Sequence, residues 1–467
     1  MQVNLQRNET MNEQELNRLL LDACMVGDAA RAKDLLDQGA SLKAKDENGA
    51  SPLHTAAANG RCKTCLMLVG RGADLEAKDN KGCSPLALAA RTGNLKACLP
   101  LMLLGPDLEV RDNGGNSPLA LAAMNGRTEA WVALLDWGAD LETKNNKGHS
   151  PLTEAASQGL TETCLALLER GADLESRDNG GHSPLAEAAS QGHTGTCLAL
   201  LERGADLESR DNGGHSPLAE AALQGHTGTC LALLERGADP KTRTRKGRSP
   251  LFVAARNGDI ELCLALLNYG ADLEARDNAG NSPLAEAASE GHTGTCLALL
   301  ERGADPKTRD KAKNNSPLAW ATRHGDTELC LALLDYGADL EAQDNAGNSP
   351  LAEAASVDNN TKFCLALIAR GANVGAALGS TQASKFSAPM LRCLHHPLHT
   401  AAERGMAQEC AQLLALGYKS EQQDGKGLTP LQAVQAAQQE ATAGFLRSWT
   451  ALQATNQVLT EASAAKP

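Results

Sequence analysis

Residues 183–204 read SPLAEAASQGHTGTCLALLERG, and residues 216–237 repeat this stretch with a single change, SPLAEAALQGHTGTCLALLERG. The Ser-Pro-Leu triplet that opens the stretch recurs every 33 residues from Ser51 to Ser282, and again at Ser316 and Ser349. A period of this size is typical of stacked supersecondary units, because one such unit cannot bury its apolar face alone. The sequence therefore predicts a solenoid, a linear array in which each unit packs against its neighbours.

Each unit carries the sequence signals of two short helices followed by a turn. In the stretch quoted first, Ser183 suits an N-cap, and Pro184 suits the first helical position, where its missing N–H costs nothing. A second helix is predicted over 196–203, and Gly204 ends it because glycine adopts the left-handed conformation freely. The next segment contains Asp-Asn-Gly-Gly at 211–214, which predicts a turn that projects from the stack.

This frame resembles the ankyrin repeat. It has the 33-residue period and, in order, Ser-Pro-Leu, Ala-Ala, Gly, Leu-Leu and Gly-Ala-Asp. The resemblance implies an all-α fold, an ankyrin-repeat solenoid of stacked helix-turn-helix units with projecting hairpin loops. It covers nearly the whole chain in about thirteen repeats, which we number from the N-terminus, so that Ser51 lies in repeat 2, Ser249 in repeat 8 and Ser316 in repeat 10.

Two features depart from the family pattern. Pro100 falls inside the second helix of repeat 3, where it is expected to distort the helix. The Asn that usually follows Gly-Ala-Asp-x in this family is Glu in many repeats of this chain. These glutamates are Glu76, Glu109, Glu142, Glu175 and Glu208.

The repeat spacing also predicts the boundaries of the array. Repeats 11 and 12 are separated by an extra stretch, GAALGSTQASKFSAP, whose Gly, Ala and Ser content predicts a mobile loop. The full division is a disordered N-terminal lead at 1–11, a solenoid at 12–454 and a disordered tail at 455–467. Within the solenoid we expect a capping repeat at 12–44, ten regular repeats at 45–374, the inserted loop at 375–389 and the last two repeats at 390–454.

Composition limits the function classes. The chain of 467 residues carries a formal net charge of −13, which argues against sequence-independent binding to nucleic acid or to an anionic membrane. The sequence has no apolar run long enough to span a bilayer and shows no secretory signal. We therefore expect a cytoplasmic protein in a reducing compartment, either in its own cell or after delivery into a host cell.

The placement of the fourteen cysteines argues against disulfides. Ten of them share one repeat position inside the second helix, and equivalent positions of stacked helices lie roughly 10 Å apart, beyond the ~7 Å Cα separation that a disulfide allows. These ten are Cys65, Cys98, Cys164, Cys197, Cys230, Cys263, Cys296, Cys330, Cys364 and Cys410. The pattern favours small buried hydrophobes over disulfides or a shared metal.

No arrangement typical of an enzyme is found in the sequence. The phosphate-binding loop, the nucleophile elbow and the common zinc signatures are all missing from it. The densest group of possible ligands, Cys393, His395, His396 and His399, flanks a loop and includes the family's structural histidine. The sequence therefore predicts no catalytic residues, no cofactor and no metal site.

In the family, partners are held by the hairpin tips and by the exposed side of the first helix. Repeats 8 and 10 stand out at these positions, because basic residues occupy their tips and Trp320 replaces a glutamate on the first helix of repeat 10. Basic side chains around an exposed aromatic are the composition of a binding hot spot. The predicted partner-binding residues are Lys241, Arg243, Arg245, Lys246, Arg248, Phe252, Val253, Arg256, Lys307, Arg309, Lys311, Lys313, Trp320 and Arg323.

A secondary partner-binding surface is predicted from the slot two residues after the Leu of Ser-Pro-Leu. This slot is apolar in repeats 3 and 4 and acidic in repeats 5 to 7. The residues are Leu88, Leu121 and the neighbouring Met124, followed by Glu154, Glu187 and Glu220. The glutamates have an alternative interpretation, since a carboxylate near a helix N-terminus stabilises the helix dipole by ~0.3–1 kcal/mol.

From these features we predict a non-enzymatic scaffold that binds one or more folded proteins on its concave face, as an adaptor, inhibitor or effector. The alternative is nucleic-acid or phosphate-ligand binding through the basic tips of repeats 8 and 10, against which the net charge weighs.

Overall fold

The chain folds as stacked pairs of helices. The computed structural model describes residues 12–311, 314–357 and 360–464, and these residues contain 28 α-helices, one short 3-10 helix and no strand. They form two compact units, divided after Arg245. The predicted all-α fold with repeating helix-turn-helix pairs is confirmed. The lead at 1–11 lies outside the described residues.

Unit 1 holds repeats 1 to 7 and the first part of the hairpin of repeat 8, up to Arg245. From repeat 2 onward, each first helix begins at the proline of Ser-Pro-Leu. The helices are α1 (Glu13–Val26), α2 (Ala29–Asp37), α3 (Pro52–Ala58), α4 (Cys62–Gly70), α5 (Pro85–Thr92), α6 (Leu95–Leu103), α7 (Pro118–Met124), α8 (Thr128–Asp136), α9 (Pro151–Ser157), α10 (Thr161–Glu169), α11 (Pro184–Ser190), α12 (Thr194–Glu202), α13 (Pro217–Leu223) and α14 (Thr227–Glu235).

Unit 2 continues the pattern and adds elements between repeats 11 and 12. Its helices are α15 (Pro250–Asn257), α16 (Ile260–Asn268), α17 (Pro283–Ser289), α18 (Thr293–Glu301), α19 (Pro317–His324), α20 (Thr327–Asp335), α21 (Pro350–Ala355), α22 (Thr361–Ala369), α23 (Val374–Leu378), the 3-10 helix Ala383–Lys385, α24 (Ala388–His395), α25 (Pro397–Glu403), α26 (Ala407–Ala415), α27 (Pro430–Ala436) and α28 (Glu440–Ala464).

The Ser-Pro pair starts each regular first helix in the predicted way. At α11, Ser183 is extended, and its hydroxyl accepts the N–H of Ala186 at 3.2 Å. Pro184 follows as the first helical residue, where no backbone donor is lost. The second helix, α12, begins two residues earlier than predicted, and Gly204 after it has a φ of +90°. The sequence thus locates both helices of a repeat to within two residues.

The core is built from small side chains. An Ala-Ala pair is almost wholly buried in most first helices, as at Ala188 and Ala189, and most second helices carry a buried cysteine at the shared position, as at Cys197. Burial raises the pKa of thiols such as Cys197 and Cys263 to about 12, so they stay protonated at neutral pH. All ten cysteines of the shared position are buried and unbridged, which confirms their predicted packing role.

The glutamates that depart from the family pattern link neighbouring repeats. Oε1 of Glu208 accepts the backbone N–H of Asp239 at 2.8 Å, and Glu175 bonds Asp206 in the same way. Each bond spans 31 residues and therefore joins one hairpin to the next. The second carboxylate oxygen of Glu208 is buried without a hydrogen-bond partner among the described residues, and this burial raises the pKa of Glu208.

Pro100 does not end the second helix of repeat 3. Helix α6 keeps the nine-residue length of the other second helices, with Pro100 at its sixth position. A proline inside a helix removes one backbone hydrogen bond and crowds the carbonyl four residues earlier. The neighbouring Cys98 and Leu101 are fully buried, and their packing holds the helix together.

The inserted stretch at 375–389 is ordered and not an irregular loop. Asn373 caps α23 by accepting the N–H of Ala376 at 3.0 Å, and the hydroxyl of Thr381 bonds Asn348 of repeat 11 at 2.8 Å. Ala377 and Met390 are buried. Sequence composition suggested a loop because Gly and Ser are common in loops, but tertiary contacts order this stretch.

The C-terminal segment also differs from expectation. Helix α28 continues to Ala464, ten residues beyond the point where the sequence predicts the solenoid to end. Its stretch contains six Ala and three Leu, which favour helix, and it contains no proline. The last three residues lie outside the described part of the chain.

We expect Ser84→Ala to lower the free energy of unfolding by about 1 kcal/mol, because it removes the hydroxyl that accepts the N–H of Ala87 at the start of α5. Urea unfolding followed by circular dichroism measures the change. Ser190→Ala is the matched control, since its position is filled by Leu223 in the next repeat and caps no helix. An equal loss in both variants would contradict the capping role.

A second prediction concerns pH. Because the pKa of Glu208 is raised in the folded state, its ionisation destabilises the fold as pH rises through that pKa. Glu208→Gln keeps the oxygen that accepts from Asp239 and should therefore be more stable than the unmodified chain at pH 7.

The difference in stability between Glu208→Gln and the unmodified chain should vanish below the ordinary glutamate pKa, because Glu208 is then protonated in both the folded and the unfolded chain. Thermal unfolding at pH 4 and pH 7 tests this, and a Glu208→Gln difference that is the same at both pH values would refute it.

Candidate functional site

The basic tips predicted for repeats 8 and 10 are exposed. In unit 2, the carbonyl of Lys246 accepts the N–H of Asn278 at 2.9 Å, and the N–H of Lys311 bonds the carbonyl of Ala279 at 2.8 Å. These bonds place the tips of three consecutive repeats side by side, with Lys246 and Lys311 at the surface. In unit 1, Lys241, Arg243 and Arg245 are likewise exposed. Lys313 lies outside the described residues.

Trp320 is half-buried on the first helix of repeat 10 and is held by Arg323. The guanidinium of Arg323 lies 5.2 Å from the centre of the indole ring. The same guanidinium contacts Glu353 at 3.3 Å and Asp344 at 3.5 Å, both on repeat 11. Trp320 and Arg323 therefore form a pre-organised aromatic and basic pair.

Two further basic residues are tied to neighbouring repeats. Arg309 donates to the carbonyl of Gln343 at 2.8 Å and lies 3.5 Å from Asp339. Arg256 lies 3.7 Å from Glu286. Among the described residues of this surface in unit 2, Lys246, Lys307 and Lys311 are exposed lysines, and Nζ of Lys311 lies 3.5 Å from the carbonyl oxygen of Asn278.

Phe252 and Val253, predicted as partner contacts, are core residues. Their exposed fractions are 0 % and 2 %, and the guanidinium of Arg248 covers the Phe252 ring at 5.5 Å. The prediction assumed that the variable slot of the first helix faces outward. Val253 occupies this slot and Phe252 the position before it, and the structure shows that both are covered, so the prediction of exposed contacts is wrong for these two residues.

The apolar residues of the secondary surface are covered for the same reason. Leu121 packs against Cys83 and Ala87 of the preceding repeat, with Met124 half-buried at the edge of this cluster. Leu88 is buried as well, although it borders a cavity of about 390 Å³. Consecutive first helices lie so close that a residue in the variable slot faces the repeat before it.

The glutamates of the secondary surface belong to a ladder that the sequence analysis missed. Imidazoles and carboxylates alternate along repeats 5 to 7, all within unit 1. The histidine–carboxylate ladder consists of Glu154, His149, Asp178, Glu187, His182, Asp211, Glu220 and His215.

The part of the ladder that joins repeats 5 and 6 is organised around His149. Nδ1 of His149 lies 3.0 Å from Glu154, whose carboxylate also accepts from Asn145 at 2.6 Å. Nε2 of the same ring lies 3.5 Å from Asp178 and 3.6 Å from Glu187. His149 is 7 % exposed, so these contacts lie away from solvent.

The part of the ladder that joins repeats 6 and 7 has the same arrangement around His182. Nε2 of His182 lies 3.4 Å from Asp211 and 3.8 Å from Glu220, while its Nδ1 lies 3.2 Å from Asp178. His215 contacts Asp211 at 3.0 Å through Nδ1. The ladder is therefore continuous over three repeats.

The carboxylates of the ladder raise the pKa of neighbouring histidines, and His149 in turn lowers the pKa of Glu154. Hydrogen bonds to Glu220 and Asp178 raise the pKa of His182 to about 9. Burial alone would lower the pKa of His149, but its contacts with Glu154, Glu187 and Asp178 outweigh burial and raise it. The pKa of Glu154 is correspondingly held below its usual value despite burial. An imidazole between two carboxylates can carry a proton or bind a cation.

A sequence signal for the ladder exists. Histidine directly precedes Ser-Pro in three consecutive repeats, at His149, His182 and His215, and each has a glutamate five residues later. Asp178 and Asp211 precede the last two of these histidines by four residues. The contacts between repeats could not be read from this pattern alone, because they depend on how closely the hairpins stack.

Comparisons with known proteins identify the family. Among the helices of the described residues, none is both long and apolar enough to cross a membrane. A search of curated proteins gives no significant match. The family model of ankyrin repeats matches residues 20–112, 86–178, 170–244, 239–310 and 307–377. These matches cover most of the chain without a gap between them, and the chain belongs to the ankyrin-repeat family.

Proposed function

We propose that the chain is a non-enzymatic scaffold that binds a protein partner through the hairpin tips and first helices of repeats 8 to 10, as an adaptor, inhibitor or effector. Ankyrin repeats are in general protein-interaction modules. The observation that carries the narrower proposal is the half-buried Trp320 packed under the guanidinium of Arg323, in the same set of repeats as the exposed lysines of the tips.

Pre-organisation supports this surface as a binding site. Arg323 is fixed by two carboxylates of the next repeat, so Trp320 is held in place before a partner arrives. Holding an aromatic in its bound orientation lowers the entropy cost of association. Trp and Arg are also the residues most enriched among the side chains that dominate binding energy.

Charge indicates the kind of partner. The chain as a whole is acidic, with a formal net charge of −13, whereas Lys246, Lys307 and Lys311 are exposed on one set of tips. A basic patch on an acidic protein favours a partner with an acidic surface and steers its approach. The partner is therefore a folded protein whose docking face is acidic with an apolar centre.

The observations give less support to nucleic acid or a phosphate ligand. Single-stranded nucleic acid is usually bound by aromatic platforms on which bases stack. Phe252 is fully buried, and Trp320 already carries a guanidinium over its ring. Binding of a protein surface requires neither an exposed Phe252 nor a bare face of the Trp320 ring.

We expect Trp320→Ala to weaken partner binding by about 2 kcal/mol, roughly 30-fold, because central aromatic anchors contribute at this level. The full-length chain is used as bait for quantitative mass spectrometry, and the captured partner is then measured by calorimetry. Trp137→Ala is the matched control, since Trp137 is exposed at the end of a second helix in repeat 4.

The unmodified chain and Trp137→Ala should retain the same protein, and Trp320→Ala should lose it. Circular dichroism checks that all three are folded. If a folded Trp320→Ala chain still retains the partner fully, the interface does not lie on repeat 10.

Charge reversal gives a separate prediction. The double variant Lys246→Glu and Lys311→Glu should slow association with the captured partner at least tenfold at low salt, and the effect should shrink as salt rises. Stopped-flow kinetics measure the rate.

The control pair Lys63→Glu and Lys96→Glu makes the same change in net charge at exposed lysines of second helices in unit 1. Equal slowing by both pairs would show that only net charge matters, which would argue against docking at the tips.

A further inference from the structure

We propose that the histidine–carboxylate ladder of repeats 5 to 7 binds two divalent transition-metal ions, with Zn²⁺ the best-matched ion. The first site is formed by Nε2 of His149 with Asp178 and Glu187. The second is formed by Nε2 of His182 with Asp211 and Glu220. In each set, one nitrogen and two carboxylate oxygens lie within 4.8 Å of one another.

The spacing of these atoms suits a metal polyhedron. Zn²⁺ binds imidazole nitrogen and carboxylate oxygen at about 2.0–2.2 Å, which places tetrahedral ligands roughly 3.3 Å apart. The nitrogen-to-oxygen distances are 3.5 and 3.6 Å in the first site and 3.4 and 3.8 Å in the second. A contraction of a few tenths of an ångström completes each set, and a water molecule can fill the remaining position.

The aspartates are already oriented. Oδ1 of Asp178 accepts the backbone N–H of His182 at 2.7 Å, and Oδ1 of Asp211 accepts that of His215 at 2.6 Å. These bonds leave Oδ2 of each aspartate directed at the imidazole of the preceding repeat. Fixed ligands reduce the ordering cost of binding an ion.

The hydrogen bond made by Nδ1 orients each histidine ring for metal binding through Nε2. A ligand imidazole usually donates its second ring N–H to a carboxylate, which orients the ring and raises its basicity. Nδ1 of His149 is placed to donate to Glu154, and Nδ1 of His182 to Asp178. Nε2 of each ring then faces the proposed ion, and binding of the ion displaces the Nε2 proton that the raised pKa values of His149 and His182 favour in the metal-free chain.

The charge count of the ladder also favours cations. Five carboxylates face three imidazoles in this half-buried row, so even three protonated histidines leave an excess of negative charge. Burying unbalanced charge is costly, and a divalent ion at each site reduces the imbalance. The ladder ends at repeat 8, where Thr244 and Val253 take the places of the aspartate and the glutamate.

Other repeats of this chain carry asparagine at the equivalent positions, and these repeats indicate which substitutions the fold accepts. Asn281 and Asn348 occupy the histidine position in repeats 9 and 11, and Asn145 occupies the aspartate position in repeat 5. The side chain of Asn145 accepts the N–H of His149 at 3.0 Å, as the aspartates do in their repeats. His149→Asn, His182→Asn and Asp211→Asn are therefore suitable test variants.

The test is calorimetric titration of ZnCl₂ into the full-length chain after treatment with a chelator. We expect about two equivalents to bind. His149→Asn should lose one equivalent and His182→Asn the other, or each should bind it at least tenfold more weakly. Asp211→Asn should affect the second site and spare the first. The control His226→Asn removes a histidine that bonds the carbonyl of Ser190 outside the ladder, and it should keep both equivalents.

Unchanged Zn²⁺ binding by the double variant His149→Asn and His182→Asn would overturn the proposal, as would the absence of binding to the unmodified chain. Co²⁺ gives a second readout, because thiolate ligands produce an intense near-ultraviolet band that imidazole and carboxylate ligands do not. Such a band would place the metal on cysteines instead of the ladder.

Discussion

The close stacking of consecutive first helices is the contact on which the rest of this structure depends. The Ala-Ala pair makes it possible, since Ala188 and Ala189 are buried with almost no exposed surface and let the neighbouring helices approach. Each repeat buries its apolar face only against the adjacent copies, so stability is shared along the array. A side chain in one repeat consequently lies beside its equivalent in the next.

This proximity determines what the variable slot of the first helix can do. A residue there faces the preceding repeat, as Leu121 does against Cys83 and Ala87. Small or aliphatic side chains in the slot become core, and glutamates in it reach the histidines of repeats 5 to 7. Trp320 stays half-buried and supports Arg323, which combines partial exposure with a fixed orientation. Residues in the same slot therefore belong to the core in some repeats, to the histidine–carboxylate ladder in others, and to the proposed partner-binding surface in repeat 10.

The two proposed sites use opposite charge and belong to different units. In unit 1 the ladder concentrates carboxylates and imidazoles at low exposure, which suits a small cation. In unit 2 the exposed lysines Lys246, Lys307 and Lys311 occur in the same repeats as the half-buried Trp320, which suits an acidic protein surface. Because ankyrin repeats contact mainly their neighbours, one region of the array can change its surface without altering the fold elsewhere.

The sequence by itself determined the period, the helix pairs, the capping serines and the buried cysteines, because each depends on local patterns repeated at a fixed spacing. It also located Trp320 as an exception among glutamates. Tertiary structure decided the order of the insertion near Thr381, the burial of Phe252 and the joining of His149 to Asp178. These depend on distances of a few ångströms between residues about thirty positions apart, and such distances are set by how closely neighbouring repeats pack.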